Sequence, residues 1–103
     1  MPGAEADKVA CRTPNADGVT NIPAWKFEAM RAAILAALAG GPLTLKALTD
    51  AVPDHLSDTD RAGMGSVGWH VATVKLELEM RGEIGRVPGA TPQQIELRQE
   101  SEA

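Results

Sequence analysis

Hydrophobic positions along the chain fall at helical spacing in three stretches. From Ala24 to Ala39 it reads AWKFEAMRAAILAALA, where Phe27, Met30, Ile34 and Leu38 lie on one helical stripe. Pro23 suits the first position of that helix, and Gly40-Gly41-Pro42 ends it. Leu43 reads as a short strand. Thr44 is a good N-cap for a second, short helix with Leu45, Leu48 and Val52 as its stripe, closing before Pro53. Asp54 to Asp60 is polar and acidic, and Gly63, Gly65 and Gly68 follow closely, so this region reads as a loop with at most one short helical turn. A third helix runs from about Ser66 to Arg81, with Gly82 as its C-cap.

Short β-prone runs flank these helices. Glu83–Val87 and Gln94–Arg98 lie on either side of the turn residues PGATP, and predict a hairpin. Near the N-terminus, Val9–Cys11 and Val19–Ile22 flank the turn signals Pro14-Asn15 and Asp17-Gly18, and predict an arm with the form of a loose hairpin. The order helix, strand, helix, helix, strand, turn, strand predicts an α+β fold. It has the short helix–helix connection of a helix-turn-helix with a hairpin appended. The expected organisation is a disordered N-terminus over 1–8, an arm over 9–22, one domain over 23–98 and a disordered tail over 99–103.

The third helix, WHVATVKLELEMRG from Trp69 to Gly82, is apolar on two sides. Turned at roughly 100° per residue, Val67, Val71, Val74 and Leu78 form an inward stripe. Trp69, Ala72, Leu76 and Met80 gather on the opposite side. His70, Thr73, Glu77 and Arg81 fill one flank, and Lys75 and Glu79 the other. A helix on a small domain needs only one apolar stripe, so the second asks for a cover. The candidates are the N-terminal arm, a second copy of the chain, and DNA. The plainest is that the arm buries Trp69 as ordinary core.

Several residues resemble the winged-helix superfamily. Thr44-Leu45-Lys46-Ala47-Leu48 looks like the entry to its second helix. Leu78-Glu79-Met80-Arg81-Gly82-Glu83-Ile84-Gly85-Arg86 looks like the end of its third helix running into the wing. The match spans roughly residues 24–98. More narrowly, the Pro14-Asn15 arm, Glu28-Ala29-Met30-Arg31 and Gly68-Trp69…Val74-Lys75-Leu76-Glu77-Leu78-Glu79 resemble a group of small bacterial proteins of unknown function. The resemblance implies a three-helix helix-turn-helix core, a C-terminal β-hairpin wing and the N-terminal arm. It also implies that the outer side of the third helix and the wing form a partner or DNA face, with Trp69, His70, Thr73, Lys75, Leu76, Met80 and Arg86 as its residues.

Charge tilts that face away from DNA. The 103-residue chain has 10 basic and 14 acidic residues and a formal net charge of -4. From Trp69 to Arg86, Lys75, Arg81 and Arg86 are balanced by Glu77, Glu79 and Glu83. The wing tip PGATPQQ has no basic residue for the minor groove. Phosphate binding draws on surplus positive charge, and base reading draws on polar side chains. The predicted face has no such surplus, and three of its residues are tryptophan, leucine and methionine.

Hydrophobic residues make up 44% of the chain, enough for a globular core. The one cysteine, Cys11, excludes an internal disulfide and is compatible with a reducing, cytoplasmic setting. The N-terminal segment MPGAEADKVA lacks the apolar run of a signal peptide. The longest apolar stretch, Ala32–Ala39, is far too short to span a membrane.

Three patterns bear on catalysis or cofactors. Gly63-Met64-Gly65-Ser66-Val67-Gly68 is a literal GxGxxG, with Glu83 downstream as a candidate ribose-binding acid. Dinucleotide binding needs a strand before the first glycine, and Ser57–Ala62 does not read as one. Asp54, His55, Asp58 and Asp60 lack the glycine and terminal glutamate of a calcium loop. The two histidines and Cys11 are too scattered for zinc. Ser66 and His70 are i, i+4 helical neighbours with no third orienting group. The expectation is therefore a non-enzymatic module without cofactor, metal or small-molecule substrate. It would act through protein contact, self-association included, with a DNA-binding transcriptional regulator as the alternative.

Overall fold

The computed structural model describes residues 8–13 and 16–98. The expected disordered ends and the Pro14-Asn15 turn lie wholly or almost wholly outside them. Among the described residues the fold is α+β, with four α-helices and two small antiparallel sheets. The arm is an antiparallel hairpin of β1 (Lys8–Thr13) and β2 (Ala16–Pro23), pairing Val9 with Ile22, Cys11 with Thr20 and Arg12 with Val19, with a shift of register between Arg12 and Thr13. Pro23 leads directly into α1 (Ala24–Leu38). Then come β3 (Leu43–Thr44), α2 (Leu45–Ala51) and a 3-10 turn over Val52–His55. They are followed by α3 (Asp58–Met64), α4 (Val67–Arg81), β4 (Ile84–Arg86) and β5 (Gln94–Leu97). The second sheet has the order β3-β5-β4, so β5 lies in the middle and Ile95 pairs with both Leu43 and Arg86.

The helix ends follow the local chemistry of the sequence. Thr44 Oγ1 accepts from the Ala47 N–H at 3.1 Å, which opens α2. Ser66 Oγ does the same for Trp69 at the start of α4. Gly82 closes α4 in the left-handed region at φ 79°, where a side chain would strain the backbone. The Glu83 N–H then bonds back to the Leu78 carbonyl at 3.0 Å.

One element departs from expectation. The segment read as a loop with at most one turn holds the seven-residue helix α3. Ser57 Oγ caps it by accepting from the Asp60 N–H at 3.0 Å, and Asp58 and Asp60 complement the positive end of its first turn. Only Met64 on this helix is fully buried, so no apolar stripe announced it. Lys26 Nζ binds the Met64 carbonyl at 3.2 Å, and a side chain added at Gly63 would press on the Trp25 ring at 3.2 Å. The helical core thus has four helices where three were expected. The helix at Asp58–Met64 also stands where dinucleotide binding would require a strand before the GMGSVG glycines.

The core lies between α1, α2 and α4. Phe27, Met30, Ile34 and Leu38 of α1 meet Leu48, Val52, Val71, Val74 and Leu78, each 2% exposed or less. Ile84 and Ile95 close one end from the second sheet, and Cys11 and Ile22 close another from the arm. Leu45 was expected on the buried stripe of α2. It is 43% exposed, because α2 is only seven residues long and buries Leu48 alone.

Candidate functional site: the outer stripe of the fourth helix

β1, α1, α2, α3 and β4 all pack against α4, and together they decide which of its faces meet solvent. Val71, Val74 and Leu78 are fully buried, as the inward stripe requires. Each flank is covered in part, at His70 and Glu77 on one and Lys75 on the other. On one, Glu77 is 2% exposed and forms the centre of an ion cluster. The Arg12 main-chain N–H and Nε donate to its Oε1 at 2.9 and 3.0 Å, and Arg12 Nη2 donates to Oε2 at 2.8 Å. Arg81 Nε donates to the same Oε2 at 2.8 Å while its guanidinium lies 4.6 Å over the Phe27 ring. On the other flank Lys75 Nζ sits 2.9 Å from Glu79 Oε2, an ion pair off the line of a hydrogen bond.

Electrostatics follow from this packing. The Arg12 hydrogen bonds, with help from Arg81, hold the Glu77 carboxyl down at about 2 from an ordinary 4.5, against the opposing effect of burial. Cys11 lies nearby in the arm. Burial pushes its thiol above the ordinary 9.0, and the Glu77 charge pushes in the same direction. The thiol is therefore a poor nucleophile in the folded chain.

The seven residues expected on the partner face divide accordingly. His70 is buried, with Nδ1 2.7 Å from the Ser66 carbonyl and its ring edge-on to Trp69. A carbonyl only accepts, so Nδ1 carries the proton in this contact. Lys75 is also buried, held beside Glu79. Both are therefore far less exposed than a partner-facing residue of the outer stripe. Trp69 and Met80 are 48% and 42% exposed, while Thr73 and Leu76 are half-buried. With Ala72 they form a continuous stripe at i, i+3, i+4, i+7 and i+11 that bears no charge. Arg86 is exposed on β4, away from this stripe in the chain, and its carbonyl accepts from Arg98 Nη2 at 2.8 Å.

The arm does pack on α4, but beside Glu77, and it leaves Trp69 open. The residue that sequence reasoning missed is Glu77, which counted there only as a flank residue and one charge in the balance from Trp69 to Arg86. Its main partner is 65 positions away, and no local pattern marks the pair. Among the described residues no helix is long and apolar enough to cross a membrane, and no three histidine, cysteine or acidic side chains are grouped to hold a metal ion.

No curated protein and no solved structure matches the chain. A family model covering β1 through the middle of β5 does match, over residues 8–95, and on that extent the chain belongs to the Family of unknown function (DUF6958).

Proposed function

We propose that this chain is a non-enzymatic, winged-helix-like interaction module whose contact surface is the uncharged outer stripe of α4. The fold part of the reading is supported by the element order. A long helix, a two-residue strand and further helices precede the β4–β5 hairpin, and β3 pairs beside β5 as the edge of one small sheet. In this reading α4 is the third helix of the superfamily pattern, β4 and β5 are the wing, and α3 is an added turn before α4.

One observation carries the functional part. Trp69, Ala72, Thr73, Leu76 and Met80 form an exposed or half-exposed stripe without a single charge, while every charged side chain of α4 is engaged in an ion pair. An apolar, aromatic-bearing patch on a helix suits protein contact. DNA recognition by the same face would rest on Thr73 and Arg86, since His70 and Lys75 are buried.

The test is sedimentation equilibrium of the full chain over a wide concentration range, beside fluorescence anisotropy with duplex DNA at low salt. Self-association that the double variant Trp69→Ser/Met80→Ser abolishes, with the melting temperature unchanged, supports the reading. A monomer at every concentration that binds DNA with steep salt dependence overturns it in favour of a DNA-binding regulator.

A further inference from the structure

The two edges of the β1–β2 hairpin differ at the Arg12–Val19 pair. On the β1 edge, the outward N–H of Arg12 is taken up by the buried Glu77 carboxylate, so α4 covers that edge at Arg12, while Ala10 two positions back is exposed. Arg12 pairs with Val19 across the hairpin. In an antiparallel ladder, two opposed residues either exchange both hydrogen bonds or turn both sets outward. Because the Arg12 N–H points away from β2, the N–H and C=O of Val19 point away from β1. Two positions on, the Ala10–Asn21 pair repeats this, so the Asn21 groups point outward too.

Nothing among the described residues takes up those groups. Val19 is 53% exposed, and Thr20 and Asn21 are exposed beside it. β2 is eight residues long, whereas the two edge strands of the other sheet, β3 and β4, have two and three residues. Short edges are a common protection against strand pairing, as are charges placed on the edge. From Val19 to Ile22 the β2 edge carries no charge; its blunting features lie at the two ends of this stretch, Pro23 and the irregularity in the ladder beside the Arg12–Val19 pair.

We propose that β2 pairs antiparallel with β2 of a second copy, giving a continuous four-stranded sheet in the order β1-β2-β2-β1. The segment suits its own copy. With a two-fold axis at Thr20, Val19 of each chain lies opposite Asn21 of the other, and their outward groups make four main-chain hydrogen bonds. The two Thr20 side chains face each other as a favourable cross-strand pair. No charged residue of Val19–Pro23 meets its own copy. Pro23, which has no N–H, ends the ladder before α1 begins. This takes self-association from the function proposed above and assigns it to a different surface, so the two can fail separately.

The experiment combines amide exchange and cross-linking. In the wild-type chain, exchange at Val19 and Asn21 is followed by NMR across the concentration range of sedimentation. Slowing of tenfold or more at both amides as dimer forms is the expected result. For cross-linking, Cys11 is first changed to Ala, because it faces Thr20 across the hairpin and would capture a cysteine placed there. In that background Thr20→Cys brings two sulfurs within disulfide reach across the two-fold, with Cα atoms roughly 4.5 Å apart. Asn21→Cys places them roughly 8 Å apart, too far to bridge. Mild oxidation should therefore give covalent dimer from Thr20→Cys and none from Asn21→Cys. A dimer with unchanged exchange at Val19 and Asn21, disrupted instead by Trp69→Ser/Met80→Ser, overturns strand pairing and leaves the α4 surface as the contact. A monomer at all concentrations overturns strand pairing and removes self-association from the function proposed above.

Discussion

Arg12 grips Glu77 through three hydrogen bonds of 2.8 to 3.0 Å, one from its main chain and two from its guanidinium. This contact fastens the arm to α4. A two-stranded hairpin is marginal by itself, so β1 and β2 depend on such contacts and on the burial of Cys11 and Ile22. The Glu77 side chain is 3% exposed, whereas that of Arg12 is 48% exposed.

Removing the charge from the buried partner should therefore cost more than removing the exposed one. Glu77→Gln leaves two guanidinium groups without their counter-charge and is expected to lower stability by about 2–3 kcal/mol in urea unfolding. Arg12→Ala keeps the Arg81 contact and gives a smaller loss. A double-mutant cycle of the two should show strong coupling, and additive effects would show that the contact is energetically idle.

The same contact sets an acid limit. The Glu77 carboxyl is lowered in the fold from 4.5 to about 2, so the folded state favours the ionised form. Its contribution is complete above about pH 4.5 and is lost as pH falls towards 2. Wild-type stability should drop through that window, and the drop should be shallower in Glu77→Gln. Parallel pH profiles for the two proteins would count against Glu77 as the titrating group.

Cys11 reports on the arm. Its thiol is 1% exposed and its ionisation is pushed upward, so labelling by a disulfide reagent under native conditions should be slow and should follow opening of the hairpin. Glu77→Gln should speed labelling at constant pH. Equal rates would mean that the arm is held by its apolar contacts alone.

The two leucines of α2 separate the expected stripe from the observed one. Leu48→Ala should destabilise by about 2–5 kcal/mol, since the side chain is fully buried among core residues. Leu45→Ala should cost about 1 kcal/mol or less at a position 43% exposed. Similar losses at the two sites in thermal unfolding would contradict this assignment of the core.

Local chemistry made most of the secondary structure legible. Thr44, Ser66 and Gly82 start or stop helices through bonds made within a few residues, so their roles are visible without the fold. The stripes Phe27/Met30/Ile34/Leu38 and Val71/Val74/Leu78 were legible because burial of a long helix repeats at 3.6 residues. α3 escaped because it offers the core one side chain, Met64, and a single buried residue has no period. Its signal was the cap Ser57 followed by acidic residues, which a polar loop also displays.

For the candidate site, sequence determined that α4 has a second apolar side, and the exposure of Trp69 and Met80 now marks where it lies. Tertiary structure alone decided what became of the flanks. His70, Lys75 and Glu77 are polar residues on a helix, and nothing in their spacing says whether water or a neighbouring element lies beside them. β1 came to rest against α4, and Arg12 met Glu77 from 65 positions away. Periodicity records which residues share a face of one helix. Which face is covered depends on the other elements packed around it, and only the folded chain brings those together.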